Sequence, residues 1–206
     1  MAQDSSPWLL VGLGNPGPDY ERNRHNVGFL ALDAFVSELR LGSYSKKHKG
    51  ELASGEAFGQ KVYALKPMTF MNLSGDSVAR AASFFSVPLA HTVVLHDEVD
   101  IDFAKLRLKQ GGGAGGHNGL RSITAQLGAG DYLRLRIGIG RHTPKGDVTP
   151  HVLGDFSRSE RDLLERDVFP RCIRTLETLL RRGLSAAMNE CNTDPKPEKA
   201  KDPTRG

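Results

Sequence analysis

Short apolar runs that stop at glycine, asparagine or histidine recur along this chain, and segments of helical periodicity separate them. Trp8–Leu13 reads as a buried first strand, and Val62–Leu65 as a second, closed by Pro67. Thr92–Leu95 is a third, delivering His96 and Asp97 into the loop that follows; Leu106–Lys109 and Leu133–Ile139 complete the set. Phe29, Leu32, Phe35 and Leu39 repeat at helical spacing with Gly42 as a stop. Val78, Ala81, Ala82 and Phe85 mark a second helix that ends before Pro88, and Leu120, Ile123 and Leu127 a third that starts just after His117 and Asn118. Ser157 and Glu160 have capping-box spacing and open a long helix reaching Leu180, which Pro170 must kink or divide. Strands alternating with helices predict the α/β class.

Length and composition narrow the class further. The 206 residues suit one core, and a hydrophobic content of 38% is enough to fill it. We expect a single compact domain over residues 1–191 and a disordered polar tail over 192–206, where prolines and mixed charges replace apolar residues. Cys172 and Cys191 stand in no metal-binding or disulfide pattern, which favours a reducing compartment. The apolar stretch near the start is too short for a leader or a membrane span, so the expectation is a soluble, cytoplasmic protein. A formal charge of +4 permits an anionic partner such as RNA without requiring one.

Chemistry concentrates where the apolar runs end. In open α/β sheets, ligands bind beyond the carboxyl ends of the strands. Asn15 follows the first strand, Asp97 the third, and the His117–Asn118 pair follows the Leu106–Lys109 strand; His25 and Asn72 sit in loops or at helix starts. A histidine oriented by a carboxylate serves as a general base, and amides hold a carbonyl or an oxyanion. No G-x-S-x-G elbow and no catalytic-looking cysteine is present, so hydrolysis by activated water is more natural than a covalent intermediate. Taken singly, each residue also has a structural reading: Asn26 as a helix cap beside His25, Asp97 as a turn former, Asn15 and Asn72 as turn or cap residues.

The glycine run Gly111–Gly116 lacks a phosphate-loop lysine, because His117 occupies that place, and GLGNPG has Pro16 where a dinucleotide fingerprint needs glycine spacing. Lys105, Arg107 and Lys109 alternate on one strand, and Arg134 and Arg136 on another, each set sharing a face. If those faces are neighbours they form a phosphate-binding patch; a solvated sheet face is the plain alternative. Lys46, Lys47 and Lys49 read as a solvated loop.

Together GLGNPG, Tyr20, RHNVG, KPMTFMNLSG, HDEVD, GGGAGGHNG and RLRIGIGR, in that order from Leu9 to about Asn189, resemble the bacterial peptidyl-tRNA hydrolases. The resemblance implies a twisted mixed β-sheet flanked by α-helices, no metal or organic cofactor, a monomer, and a tRNA carrying a peptide as partner. Its reaction would be hydrolysis of the ester joining the peptide to the terminal ribose. By the same resemblance His25 is the base, Asp97 orients it, and Asn15 and Asn72 hold the peptide main chain and the attacking water. Asn118 would contact the peptide or the oxyanion, and His117 would line the side of the cleft that takes the tRNA end. Tyr20 and Phe70 or Met71 would wall the peptide channel, and Lys109 and Arg136 would clamp the 5′ phosphate of the tRNA. Ala114 departs from the polar residue many relatives carry in the glycine loop. An RNA-binding relative without catalysis would have lost the base, which is retained here. A nickel-sensing maturation endopeptidase would leave RHN and GGHNG unexplained.

Overall fold

A computed structural model describes residues 6–141 and 146–193; part of the tail expected to be disordered, residues 194–206, lies outside the described residues. The sheet has seven strands: β1 (Trp8–Gly12), β2 (Ser45–Lys47), β3 (Gly50–Ala57), β4 (Gln60–Pro67), β5 (Thr92–Glu98), β6 (Leu106–Gln110) and β7 (Leu133–Gly138). Their order is β2-β3-β4-β1-β5-β7-β6. The middle four run parallel, β3 and β6 on either side of them run the opposite way, and β2 pairs antiparallel with β3, so the sheet is mixed as expected.

Parallel strands need helical crossovers, and these bury both faces of the sheet. α1 (Val27–Glu38), α6 (Phe169–Arg182) and α7 (Leu184–Cys191) cover one face, packing Phe35, Leu176 and Ala187 against Leu10, Leu95 and Leu135. α2 (Ser74–Phe84) and α3 (Asn118–Leu127) cover the other, packing Val78, Leu120 and Ile123 against Leu9, Val11 and Val94. β1 is buried throughout for this reason. Each fully buried leucine contributes about 1.5–3 kcal/mol.

The structure departs from the sequence expectation in specific places. The segment of Lys46, Lys47 and Lys49, expected as a solvated loop, forms the β2–β3 hairpin: Lys46 and Lys47 lie in β2, and Lys49 in the turn pairs with Asp76 at 2.6 Å. β5 runs three residues further than its apolar part, since His96, Asp97 and Glu98 still pair with Arg136, Ile137 and Gly138 of β7. His96 and Asp97 are therefore strand residues, held more rigidly than a loop would hold them. The long C-terminal helix is divided, as Pro170 demands: α5 (Arg158–Leu163), one π-helical turn (Leu164–Val168), then α6 with Pro170 in its first turn, where a missing N–H costs nothing. The Ser157–Glu160 capping box forms. Asn192, placed by sequence in the polar tail, accepts from the Leu108 N–H at 2.7 Å and donates to the Leu108 carbonyl at 2.9 Å. It acts as a one-residue partner for the edge strand β6.

Two glycines bring the motifs together. A Cβ on Gly28 would overlap the Leu95 carbonyl oxygen and stand 2.5 Å from the Leu13 nitrogen, so only glycine lets α1 seat on the ends of β1 and β5. Gly75 does the same for α2 against α3, where a Cβ would overlap the Ser122 carbonyl. Gly28→Ala should lower the unfolding free energy by about 2–3 kcal/mol through overpacking, read as a lower urea midpoint at unchanged m-value.

Candidate active site

Asn15 follows β1 and is 8% exposed, and α1 starts so close to that strand end that Asn26 reaches it. The Asn15 N–H donates to Asn26 Oδ1 at 2.9 Å, and Asn26 Nδ2 donates back to the Asn15 carbonyl at 2.9 Å. Asn26 occupies the cap position of α1 but makes no side-chain cap bond, so the capping role considered from sequence is replaced by this brace. Asn15 Oδ1 accepts from the Met71 N–H at 2.8 Å, which ties the FMNLSG segment to the same point and leaves Asn15 Nδ2 without a hydrogen-bond partner among the described residues.

His25 precedes Asn26 in a short 3-10 turn, and its Nδ1 lies 2.8 Å from Asp97 Oδ1. The turn is anchored from behind. Arg24, buried at 8% exposure, donates to the Asp155 carbonyl at 2.8 Å, pairs with Glu160 at 3.0 Å and lies over the Phe156 ring at 5.3 Å. Asp97 is 4% exposed and also receives His117 Nε2 at 3.0 Å on the same oxygen. Burial works against charge on His25, but the adjacent Asp97 carboxylate outweighs it and raises the ring above its usual value of 6.5. Burial likewise works against charge on Asp97, yet the two histidines hold its carboxyl well below the usual carboxylate range. His96, fully enclosed, is pushed down to about 3 by burial.

These groups face a pocket of about 470 Å³. Asn15, His25, Asp97 and His117 form its polar wall; Phe70, Met71, Val99, Val152 and Leu153 supply apolar surface, and Asn72 and Asn118 stand at its exposed rim. His25, Asp97 and His117 are the one group with metal-ligand spacing among the described residues, their ligand atoms within 4.8 Å of one another. Both ring nitrogens, however, converge on a single carboxylate oxygen, the geometry of two N–H donors on one acceptor. A metal would have to replace both protons and displace that oxygen.

The family model for peptidyl-tRNA hydrolase matches residues 9–201 of this sequence. The chain belongs to the peptidyl-tRNA hydrolase family. A curated peptidyl-tRNA hydrolase of Rhodococcus opacus (strain B4) is 50% identical over 192 residues, covering 92% of this chain and 98% of that one. One from Syntrophotalea carbinolica is 45% identical over 184 residues, covering 89% and 96%. The crystal structure of the Acinetobacter baumannii peptidyl-tRNA hydrolase superposes with a TM-score of 0.85 at 35% identity, covering 94% of this chain and 98% of that one. A peptidyl-tRNA hydrolase crystallised with n-propanol superposes at 0.86 and 36% identity, covering 96% and 100%. Belonging to this family makes the chain an enzyme of that kind.

The peptidyl-tRNA hydrolase motifs not spent on the pocket build a basic edge. Pairing of Lys109 with Arg134 and of Arg107 with Arg136 puts all four cations on one face of β6 and β7. They are not equivalent. Arg134, read from sequence as part of the exposed patch, is 3% exposed and turned inward: its guanidinium donates to the Gly113 and Gly112 carbonyls at 2.7 and 2.6 Å, above the Tyr132 ring at 4.8 Å. It holds the glycine loop, since unpaired main-chain carbonyls attract a buried guanidinium with its fan of donors. Arg136 pairs with Glu98 through Nε and a terminal nitrogen, both at 3.0 Å. Lys109 has no ion-pair partner among the described residues, and its ammonium lies over Gly112, where a Cβ would stand 2.5 Å away. Tyr20 closes a turn by donating its N–H to the Gly17 carbonyl at 3.1 Å and does not line the pocket.

Sequence reasoning missed the wall formed by Val148, Thr149 and the short helix α4 (Thr149–Val152), and it gave Glu98 and Arg141 no role. Glu98 lies inside HDEVD and could have been found there; α4 is one turn long, below what periodicity detects. Asn26→Ala should remove both braces on Asn15 and lower stability by about 2–3 kcal/mol, with an equal shift in thermal and urea denaturation.

Proposed function

We propose that His25 is the general base by which this hydrolase cleaves the ester between a peptide and the terminal ribose of tRNA. The observation that carries the reading is the 2.8 Å contact of His25 Nδ1 with a buried carboxylate at a pocket wall. With Nδ1 donating to Asp97, the lone pair is on Nε2, turned to accept a proton from water. The water oxygen adds to the ester carbonyl while its proton passes to Nε2. Asn118 donates to the carbonyl oxygen as charge builds there, while Asn15 Nδ2 and Asn72 hold the peptide main chain and the attacking water. The ribose oxygen then leaves and takes the proton from His25, so the ring ends as it began. Asp97 steadies the charged ring in between without accepting the proton.

Substrate choice follows from the same groups. Asn15, Asn72 and Asn118 would read the peptide amide next to the ester, so a free α-ammonium would leave them mispaired and slow hydrolysis of ordinary aminoacyl-tRNA. Met71 and Phe70 give the peptide an apolar wall. Lys109, which has no ion-pair partner among the described residues, and Arg136, which has an acidic one, would take the 5′ phosphate, with Arg136 exchanging or sharing Glu98. Among the described residues no helix is long and apolar enough to cross a membrane.

The direct test is release of peptide from purified peptidyl-tRNA with EDTA present and no cofactor added. His25→Ala should reduce turnover at least about 10³-fold while tRNA binding survives, because the base acts on water and not on phosphate. Unchanged turnover would remove the mechanism. In the unmodified enzyme kcat/KM should fall as the pH drops, since the base works unprotonated; the raised His25 value puts the midpoint above 6.5. Lys109→Ala should weaken tRNA binding and reduce the slope of log affinity against log salt by about 0.7–0.9. Arg134→Leu, whose cation faces carbonyls, should leave that slope unchanged.

A further inference from the structure

Both ring nitrogens of His117 are committed. The Gly119 N–H, in the first turn of α3, donates to Nδ1 at 3.1 Å, so Nδ1 carries a lone pair and the ring proton sits on Nε2. Nε2 then points that proton at Asp97 Oδ1, 3.0 Å away, the oxygen already receiving His25. The His117 side chain is 9% exposed. Its ring tilts against His25 at 4.9 Å and meets the buried His96 ring nearly edge-on at 5.1 Å. His96 is itself fixed, with Nδ1 donating to the Asp97 carbonyl at 2.7 Å. A hydrogen-bonded series therefore runs from the α3 backbone through His117 to Asp97 and on to His25.

We propose that His117 is a positioning residue for the hydrolysis, a fixed N–H donor that aims the Asp97 carboxylate and shares its charge, and not a contact to the tRNA end. The inference rests on the reading of His25 as base. It separates the roles of the pair: His25 engages Asp97 through Nδ1 alone, whereas both His117 nitrogens are occupied. It also gives the glycine loop a task, since the backbone that presents Gly119 follows directly from the segment Arg134 holds. With the His117 donor gone, the whole carboxylate charge would fall on His25 and bind its proton more tightly. The charged and titratable groups that share the pocket wall with His25 are Asp97 and Glu98 from β5, His117 from the loop ahead of α3, and Arg141; His96 of β5 packs against His117 instead.

The test compares His117→Phe, which keeps the ring volume and loses both nitrogens, with His117→Gln, whose amide can donate from the same place. We expect the Phe variant to lose about tenfold in kcat, hold KM within about twofold, and move the acid limb of kcat/KM up by about one unit. The Gln variant should recover the limb and much of kcat. A rise in KM with kcat and the limb unchanged would overturn the proposal and make His117 a substrate contact. Long-range nitrogen–proton NMR of the unmodified protein gives an independent reading, with the Nε2–H tautomer expected for His117 and Nδ1–H for His25. An Nδ1–H on His117 would also overturn it. Because that measurement needs no substrate, it decides the assignment even where peptide release fails, so the two readings fail separately.

Discussion

The seating of α1 on the ends of β1 and β5 is the contact from which the site geometry follows. It depends on backbone meeting backbone at Gly28, with Gly12 opposite, where a Cβ on either would overlap main-chain atoms of the other element. Once that approach is made, Asn26 lies within hydrogen-bond reach of Asn15 on both sides, and His25 is delivered to Asp97. Van der Waals contact thus sets the positions that hydrogen bonds then lock. The order matters because hydrogen bonds are directional and short, and contribute only where packing has already brought their partners together.

Electrostatics at the site is organised around one buried anion. Asp97 keeps its charge because two imidazole N–H groups satisfy the same oxygen, offsetting the loss of water. The cations of the basic edge are sorted by the same principle of finding partners. Arg134 satisfies main-chain carbonyls of the glycine loop and lies inside, Arg136 satisfies Glu98, and Lys109, over Gly112, has no ion-pair partner among the described residues. Strand alternation brings all of them to one face. Only their partners decide which can serve a phosphate.

Much of the plan is legible in the chain. The apolar runs of β1, β4, β5, β6 and β7 stand out because a doubly covered sheet needs near-continuous hydrophobic strands. The β2–β3 hairpin is not legible for the complementary reason: the edge strand β2 is exposed throughout, and GELASGEA pairs through its backbone with few large apolar residues. The run to Glu98 in β5 is hidden because the strand continues after its hydrophobicity ends, held by ladder bonds to β7. His25, Asp97, Asn15, His117 and Asn118 were all found as polar residues near strand ends or helix starts, and they do meet at one pocket. Tyr20, named by the same motif reasoning, does not join them.

By itself the sequence determined the class of fold, the family and the set of side chains able to do chemistry, since these follow from periodicity, glycine placement and motif identity along one dimension. Tertiary structure alone decided who partners whom: that His117 shares the Asp97 oxygen, that Asn26 braces Asn15 instead of capping its helix, and that Arg134 faces inward. These pairings join residues 11 to 21 positions apart and depend on distances of a few ångströms. Such distances are set by the packing of helices on the sheet, which no local pattern of residues encodes.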